Sequence, residues 1–81
     1  MQNDKFSIEI DDEADAAYVR VSKAPVAQTR EIADGILLDL DANEELAGIE
    51  VLGLRGKVGT DDRTSYLHGL VAGLRLRTPA E

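Results

Sequence analysis

The chain has no cysteine, no tryptophan, one histidine and only three other aromatic side chains in 81 residues. Without cysteine there is no disulfide framework. With one histidine and no thiolate there is no ligand set for tetrahedral zinc. His68 has no cysteine nucleophile and no serine elbow motif to work with, so neither nucleophilic arrangement can be assembled, and His68 reads as a surface side chain. Phe6, Tyr18 and Tyr66 are too scattered for a platform on which bases stack. No run approaches the ~20 apolar residues that cross a bilayer. The first residues, Met1-Gln-Asn-Asp-Lys5, lack the charged-then-apolar order of a secretory signal, which implies a cytoplasmic protein.

Positive charge is also scarce. Nine Lys and Arg face 16 Asp and Glu, for a net charge of −7. Residues 1–54 carry 13 acidic and 4 basic side chains, and residues 55–81 carry 3 acidic and 5 basic. An acidic body argues against nucleic-acid binding, which needs clustered Lys and Arg. The basic tail (Arg55, Lys57, Arg63, Arg75, Arg77) is expected to touch the protein's own acidic body or that of a sister subunit.

What is present is period-two alternation. Phe6, Ile8 and Ile10 alternate with polar residues, as do Ala17, Val19 and Val21; the polar turn Asp11 to Asp15 joins them. Val26 to Ile32 is a weaker strand. Asp34-Gly35 is a hairpin-turn signal. Ile36, Leu38 and Leu40, then Ala47, Ile49 and Val51, complete five strands with a second acidic turn at Ala42 to Glu45. Short turns make neighbours antiparallel. Keeping the apolar residues on one face pairs Ile8 with Val19 and Ile10 with Ala17, and likewise Ile36 with Val51, Leu38 with Ile49 and Leu40 with Ala47. A two-residue Asp34-Gly35 turn places Arg30 opposite Asp39 and Glu31 beside Leu38; either Glu31 lies at an open edge, the preferred reading, or the turn has an extra residue.

The two hairpins repeat at an offset of 30: Ile8 matches Leu38, Asp11 Asp41, Ala17 Ala47, Val19 Ile49 and Val21 Val51. A repeat of this kind points to shared architecture rather than shared chemistry. After it, Gly53 to Gly59 reads as a flexible linker. Asp61 or Asp62 is placed to cap a helix, and Tyr66, Leu67, Leu70, Val71 and Leu74 fall on one helical face. Gly69 and Gly73 weaken that helix, and Leu74 to Arg77 alternates, so a terminal strand is the alternative. The expected fold is α+β: an antiparallel five-stranded β-meander of two similar hairpins, with a C-terminal helix covering one face. Residues 1–53 form the sheet and 54–81 the linker and helical segment of the same single domain.

Asp39, Asp41, Asn43, Glu45 and Glu50 match positions 1, 3, 5, 7 and 12 of an EF-hand calcium loop. The sixth position is Glu44 where that loop needs glycine, and the flanks are strands rather than helices. Solvated carboxylates on a strand and turn explain the pattern better. The same holds for the set Glu9, Asp11, Asp39 and Asp41.

Asp12 to Val21, Thr29-Arg-Glu31, Gly35 to Asp41 and Gly48-Ile-Glu-Val51 together resemble domain-of-unknown-function family 2283, DUF2283, over about residues 6–52. The resemblance implies a small bacterial or archaeal β-rich domain with no established activity and no cofactor. Some members neighbour small toxin-like proteins, which implies an antitoxin-like role as one alternative, with residues 60–81 gripping the toxin.

A five-stranded sheet of ordinary strand length has an apolar face of ~400–500 Å², as large as monomers normally leave exposed. The chain is therefore expected to be a non-enzymatic, self-associating β-sheet domain, a dimer, that binds a protein partner. The expected contact residues are Phe6, Tyr18, Leu67, Leu70 and Leu74. A weak carboxylate metal site is the remaining alternative.

Overall fold

In the computed structural model, which describes residues 6–77 (75–77 in backbone only), each alternating segment forms a strand. They are β1 (Ser7–Asp11), β2 (Ala16–Arg20), β3 (Gln28–Ala33), β4 (Ile36–Leu40) and β5 (Leu46–Leu52). The helix α1 (Arg63–Arg77) follows and runs on where a terminal strand was the alternative. The fold is α+β, with one antiparallel sheet and one C-terminal helix.

The strand order is β1-β2-β5-β4-β3 rather than the sequential order of a meander. Pro25 lies in the segment between β2 and β3, which do not pair. β5 takes the place beside β2 instead, so the two hairpins lie side by side. Val19 pairs with Ile49, its own counterpart in the repeat, and Tyr18↔Glu50 is mirrored by Arg20↔Gly48. Ala17↔Val51 is likewise mirrored where Val21 N donates to the Ala47 carbonyl at 2.9 Å. A pseudo-twofold axis therefore passes between Val19 and Ile49, relating the hairpins as an isologous dimer interface relates two subunits. Strand β3 has no counterpart in this symmetry; it extends the sheet beyond β4.

The first-hairpin register is as expected, with Ile8↔Val19 and Ile10↔Ala17. The second keeps Ile36↔Val51 and Leu38↔Ile49, but an irregularity after Asp39 sets Leu40 opposite Leu46 in place of Ala47. The turn itself explains this. Asp41 Oδ1 accepts from Asn43 N (2.8 Å) and Glu45 N (2.9 Å), and Glu44 takes the left-handed region at φ 64°, which closes a longer loop than the first. In the first turn Asp11, the counterpart of Asp41, accepts from Ala14 N at 3.1 Å. The acid that opens each turn is thus its hydrogen-bond acceptor. Between β3 and β4 a bulge falls between Glu31 and Ala33, so Thr29, not Arg30, faces Asp39, and Glu31 faces Leu37. The Glu31 carboxylate accepts from Gly35 N at 3.2 Å, closing the turn, while a Cβ on Gly35 (φ 76°) would stand 2.8 Å from the Leu52 carbonyl oxygen.

The glycine-spaced stretch after β5 is ordered. Leu54 starts a 3-10 turn, is 1% exposed and joins the core. Leu54 N donates to the Asp15 carbonyl (3.0 Å) and Arg55 N to Asp15 Oδ1 (2.9 Å). Arg55 Nη2 reaches the Asp12 carbonyl at 2.7 Å, and Arg63 Nη1 pairs with Asp12 Oδ1 at 2.8 Å. Three of the tail's basic residues (Arg55, Lys57 and Arg63) thus bind the protein's own body; the side chains of Arg75 and Arg77 lie outside the described residues. Asp61 and Asp62 fall in a second 3-10 turn that leads into α1. The helix lays Leu67 and Val71 on Ala17, Val19, Ile49 and Val51, with Phe6, Ile8, Tyr66, Leu70 and Leu74 half-buried around them. Val19, Ile49, Val51 and Leu67 are 0% exposed, so the sheet centre is covered by the chain's own helix. No described helix is long and apolar enough to cross a membrane.

Gly69 and Gly73 lie on the exposed side of α1, and a Cβ at either would meet nothing within 4 Å. Gly69→Ala and Gly73→Ala should each raise stability by ~0.5–1 kcal/mol in urea denaturation, because alanine loses less backbone entropy in a helix. Leu54→Ala should cost ~2–5 kcal/mol, as removal of a core leucine does; a loss under ~1 kcal/mol would show that the stretch after β5 is not anchored.

Candidate functional site

One sheet face lies under the helix and the other is open. Period-two alternation puts Glu9 of β1, Tyr18 and Arg20 of β2, Gly48 and Glu50 of β5, Asp39 of β4 and Thr29 of β3 on the open face. The registers bring them into cross-strand rows: Glu9–Tyr18–Glu50–Leu37–Glu31 and Ser7–Arg20–Gly48–Asp39–Thr29.

The two rows are tied together by one side chain. Tyr18 lies across β5, and its hydroxyl donates to Asp39 Oδ2 on β4 at 2.7 Å. Thr29 Oγ1 donates to the other oxygen, Asp39 Oδ1, at 2.6 Å. The Arg20 guanidinium stands 5.7 Å from the Tyr18 ring centroid, within cation–π range. This crossing requires glycine at position 48, because a Cβ there would lie 2.6 Å from Tyr18 Cζ and closer still to its hydroxyl. Three strands are thereby cross-linked over the back of a fourth.

Burial pushes the Tyr18 hydroxyl up to about 12; its hydrogen bond to Asp39 and that carboxylate's charge act the same way, and Arg20 opposes them. The phenol is held protonated as a donor and is a poor base at neutral pH. Beyond Tyr18 an open groove of about 740 Å³ runs over Glu9, Asp11, Asp12, Glu13 and Glu50 with no Lys or Arg in its lining. Asp12 is held below the usual carboxylate range by its hydrogen bond from Arg63 and that residue's charge. Among the described residues, Glu9, Glu13 and Glu50 take part in no ion pair.

The residues expected to form one contact surface are divided between the faces. Tyr18 is on the open side. Phe6 packs edge-on against His68 of α1, with ring centroids 5.0 Å apart, so His68 is exposed yet braces the sheet edge. Leu67 is wholly buried within the chain, and Leu70 and Leu74 are half-buried against the core. Asp39 and Asp41, the first two positions of the calcium-loop pattern, are occupied with Tyr18 and Thr29 and with the turn amides. No group of three or more acidic or histidine side chains among the described residues is arranged to hold a metal ion. The roles of Thr29, Asp39 and Gly48 were not read from the sequence. The available signal was in the repeat, where Tyr18 aligns with Gly48: the largest side chain of the open face has the smallest as its counterpart.

In the Tyr66→Phe variant Tyr18 is the only tyrosine, and alkaline titration of tyrosinate absorbance should give a midpoint near 12 that falls in Asp39→Asn. A folded-state pKa above the usual ~10 stabilises the fold below that pH, and the contribution disappears as pH rises through about 12; Tyr18→Phe should flatten this alkaline loss. Gly48→Ala should cost ~1–3 kcal/mol by overpacking. Most of that cost should vanish in a Tyr18→Ala background, a coupling measured by a double-mutant cycle.

No curated protein and no solved structure matches the chain. A family model does, over residues 7–55, from the start of β1 to the 3-10 turn beyond β5. That span holds the whole sheet and every residue of the Tyr18–Asp39–Thr29 network, and the chain belongs to this family, described as Protein of unknown function (DUF2283).

Proposed function

We propose that this domain is a non-catalytic protein-binding module that presents its open sheet face and edges to a partner chain. The observation that carries the reading is the Tyr18–Asp39–Thr29 network. It ties β2, β3 and β4 together across β5 through side-chain hydrogen bonds on the open face, a sound basis for recognition because little conformational freedom remains to be lost on binding. The phenol serves as a donor in this frame rather than as a reactive group.

Charge supports a partner other than a second copy on this face. Stacking two open faces would bring Glu9, Glu31 and Glu50 against their own copies, and like charges at an interface oppose association. The antitoxin-like alternative fits the same scheme with the gripping surface moved: Arg55, Lys57 and Arg63 are engaged within the chain, which leaves the sheet as the binding element. A cytoplasmic setting agrees with a cysteine-free acidic chain.

Self-association is the second reading. It is supported by Val26 and Ile32, 44% and 46% exposed at the β3 side of the sheet. A twofold pairing of β3 with its copy centred on Arg30 or Glu31 would set like charges against each other, which weakens the case in those registers.

Light scattering on the eluting peak separates the two. The binding-module reading expects the 8.8 kDa mass of one chain at micromolar concentration, and self-association expects twice that. A partner captured by the wild-type chain should be kept by Ala72→Glu on the outer side of α1 and lost by Glu50→Lys. Equal retention by both variants would overturn the open face as the binding surface.

A further inference from the structure

We propose that the outer edge of β1 binds an extended, basic segment of a partner protein as a sixth, antiparallel strand, a proposal that rests on the binding-module reading above and names its partner's chemistry.

The fold supplies its own template. The pseudo-twofold that pairs Val19 with Ile49 maps β1 onto β4. The outer side of β4 carries β3, whereas among the described residues nothing pairs with the outer side of β1. A strand therefore fits against one member of a symmetry-related pair, and the equivalent place on the other is free. An unpaired edge exposes a row of amide and carbonyl groups ready to take a strand.

The template also states what the guest must carry. On β4, Asp39 receives a donor from the β3 residue opposite it, Thr29. The counterpart of Asp39 on β1 is Glu9, which is exposed and takes part in no ion pair among the described residues. The groove at that end of β1 adds Asp11, Glu13 and Glu50 and no basic side chain. A guest strand with Lys or Arg on the open-face side would satisfy these carboxylates. Its alternate residues would lie against the half-buried Ile8 and Ile10, so β-branched side chains fit there. A second copy of this chain is a poor guest, since twofold pairing of β1 about Glu9 sets that residue on its own copy and pairing about Ile10 sets Glu9 on Asp11.

The test uses the full chain, isotope-labelled, with a capped (Val-Lys)5 peptide followed by NMR. The expected result is saturable binding in which the outward-facing amides of Ser7 to Asp11 gain protection from exchange. Glu9→Lys and Glu13→Lys should each weaken it at least fivefold, added salt should weaken it further, and a peptide with proline at alternate positions should fail. Ile32→Lys, on the opposite edge, should bind as the wild type does. Binding that shifts open-face signals without protecting β1 amides would overturn the edge proposal and leave the open-face reading standing. No binding by the peptide at millimolar concentration would also overturn it; the reading above would then stand or fall on the capture experiment. Equal binding by a (Val-Glu)5 peptide would overturn the charge assignment.

Discussion

The antiparallel pairing of β2 with β5 is the constraint on which the rest of the structure depends. Val19 and Ile49 face each other at its centre, and both are 0% exposed. Joining the two hairpins there gives a continuous apolar floor, so one short helix can cover Ala17, Val19, Ile49 and Val51 together. Had β3 paired with β2 as in a meander, the repeat halves would have been separated by a strand whose six residues are all exposed. The core would have been split into two parts, each too small for one helix. Each fully buried Val, Leu or Ile contributes ~1.5–3 kcal/mol, so a contiguous core matters greatly to a chain this small.

Twofold-related hairpins begin with equivalent open faces, and the site arises where that equivalence is broken. Tyr18 and Gly48 are counterparts, as are Glu9 and Asp39. The tyrosine can lean over β5 because its counterpart has no side chain there, and it reaches Asp39 rather than the adjacent Glu9. One half supplies the donor and the other the acceptor. Thr29, from the strand outside the symmetry, completes the acceptor's second oxygen. The first turn is the other departure. Asp12 and Asp15 hold the segment from Leu54 to Arg63, which docks the helix, while the turn 41–45 is left free of it.

Strand positions, the first hairpin register, the second as far as Asp39, and the helix were legible in the sequence because each depends on local spacing that the solvent boundary enforces. A slip of one residue would turn Ile8 or Leu38 outward, so the alternation specifies the register. Strand order was not legible, because β2 has apolar neighbours available in either β3 or β5 and the choice is made by the whole core. The Leu54 anchor was hidden among glycines that read as flexibility; its burial follows from hydrogen bonds 39 and 40 residues away along the chain, to Asp15. The Tyr18 network was partly legible. The aromatic was conspicuous on a polar face, but its partner across an intervening strand emerges only once β5 is known to lie between β2 and β4.

A sheet whose two edges are unpaired among the described residues invites association with copies of itself, and this chain meets that hazard with charge rather than with bulk. The outer strand β3 carries Arg30 and Glu31, and β1 carries Glu9 and Asp11 on its open side. Twofold pairing of β3 about Arg30 or Glu31, or of β1 about Glu9 or Asp11, sets one of these charges on its own copy, and pairing of β1 about Ile10 sets Glu9 on Asp11. The same charges do not guard against every guest. An acidic edge repels an acidic copy and attracts a basic strand, so one set of side chains both suppresses self-assembly and selects the partner. The net charge of −7 extends that discrimination to the approach of the partner, since the field of the whole acidic body favours a basic chain before contact is made. Within the molecule the basic segment Arg55 to Arg63 already follows this rule, bound to the first acidic turn, a few residues beyond the edge where a second basic segment would lie.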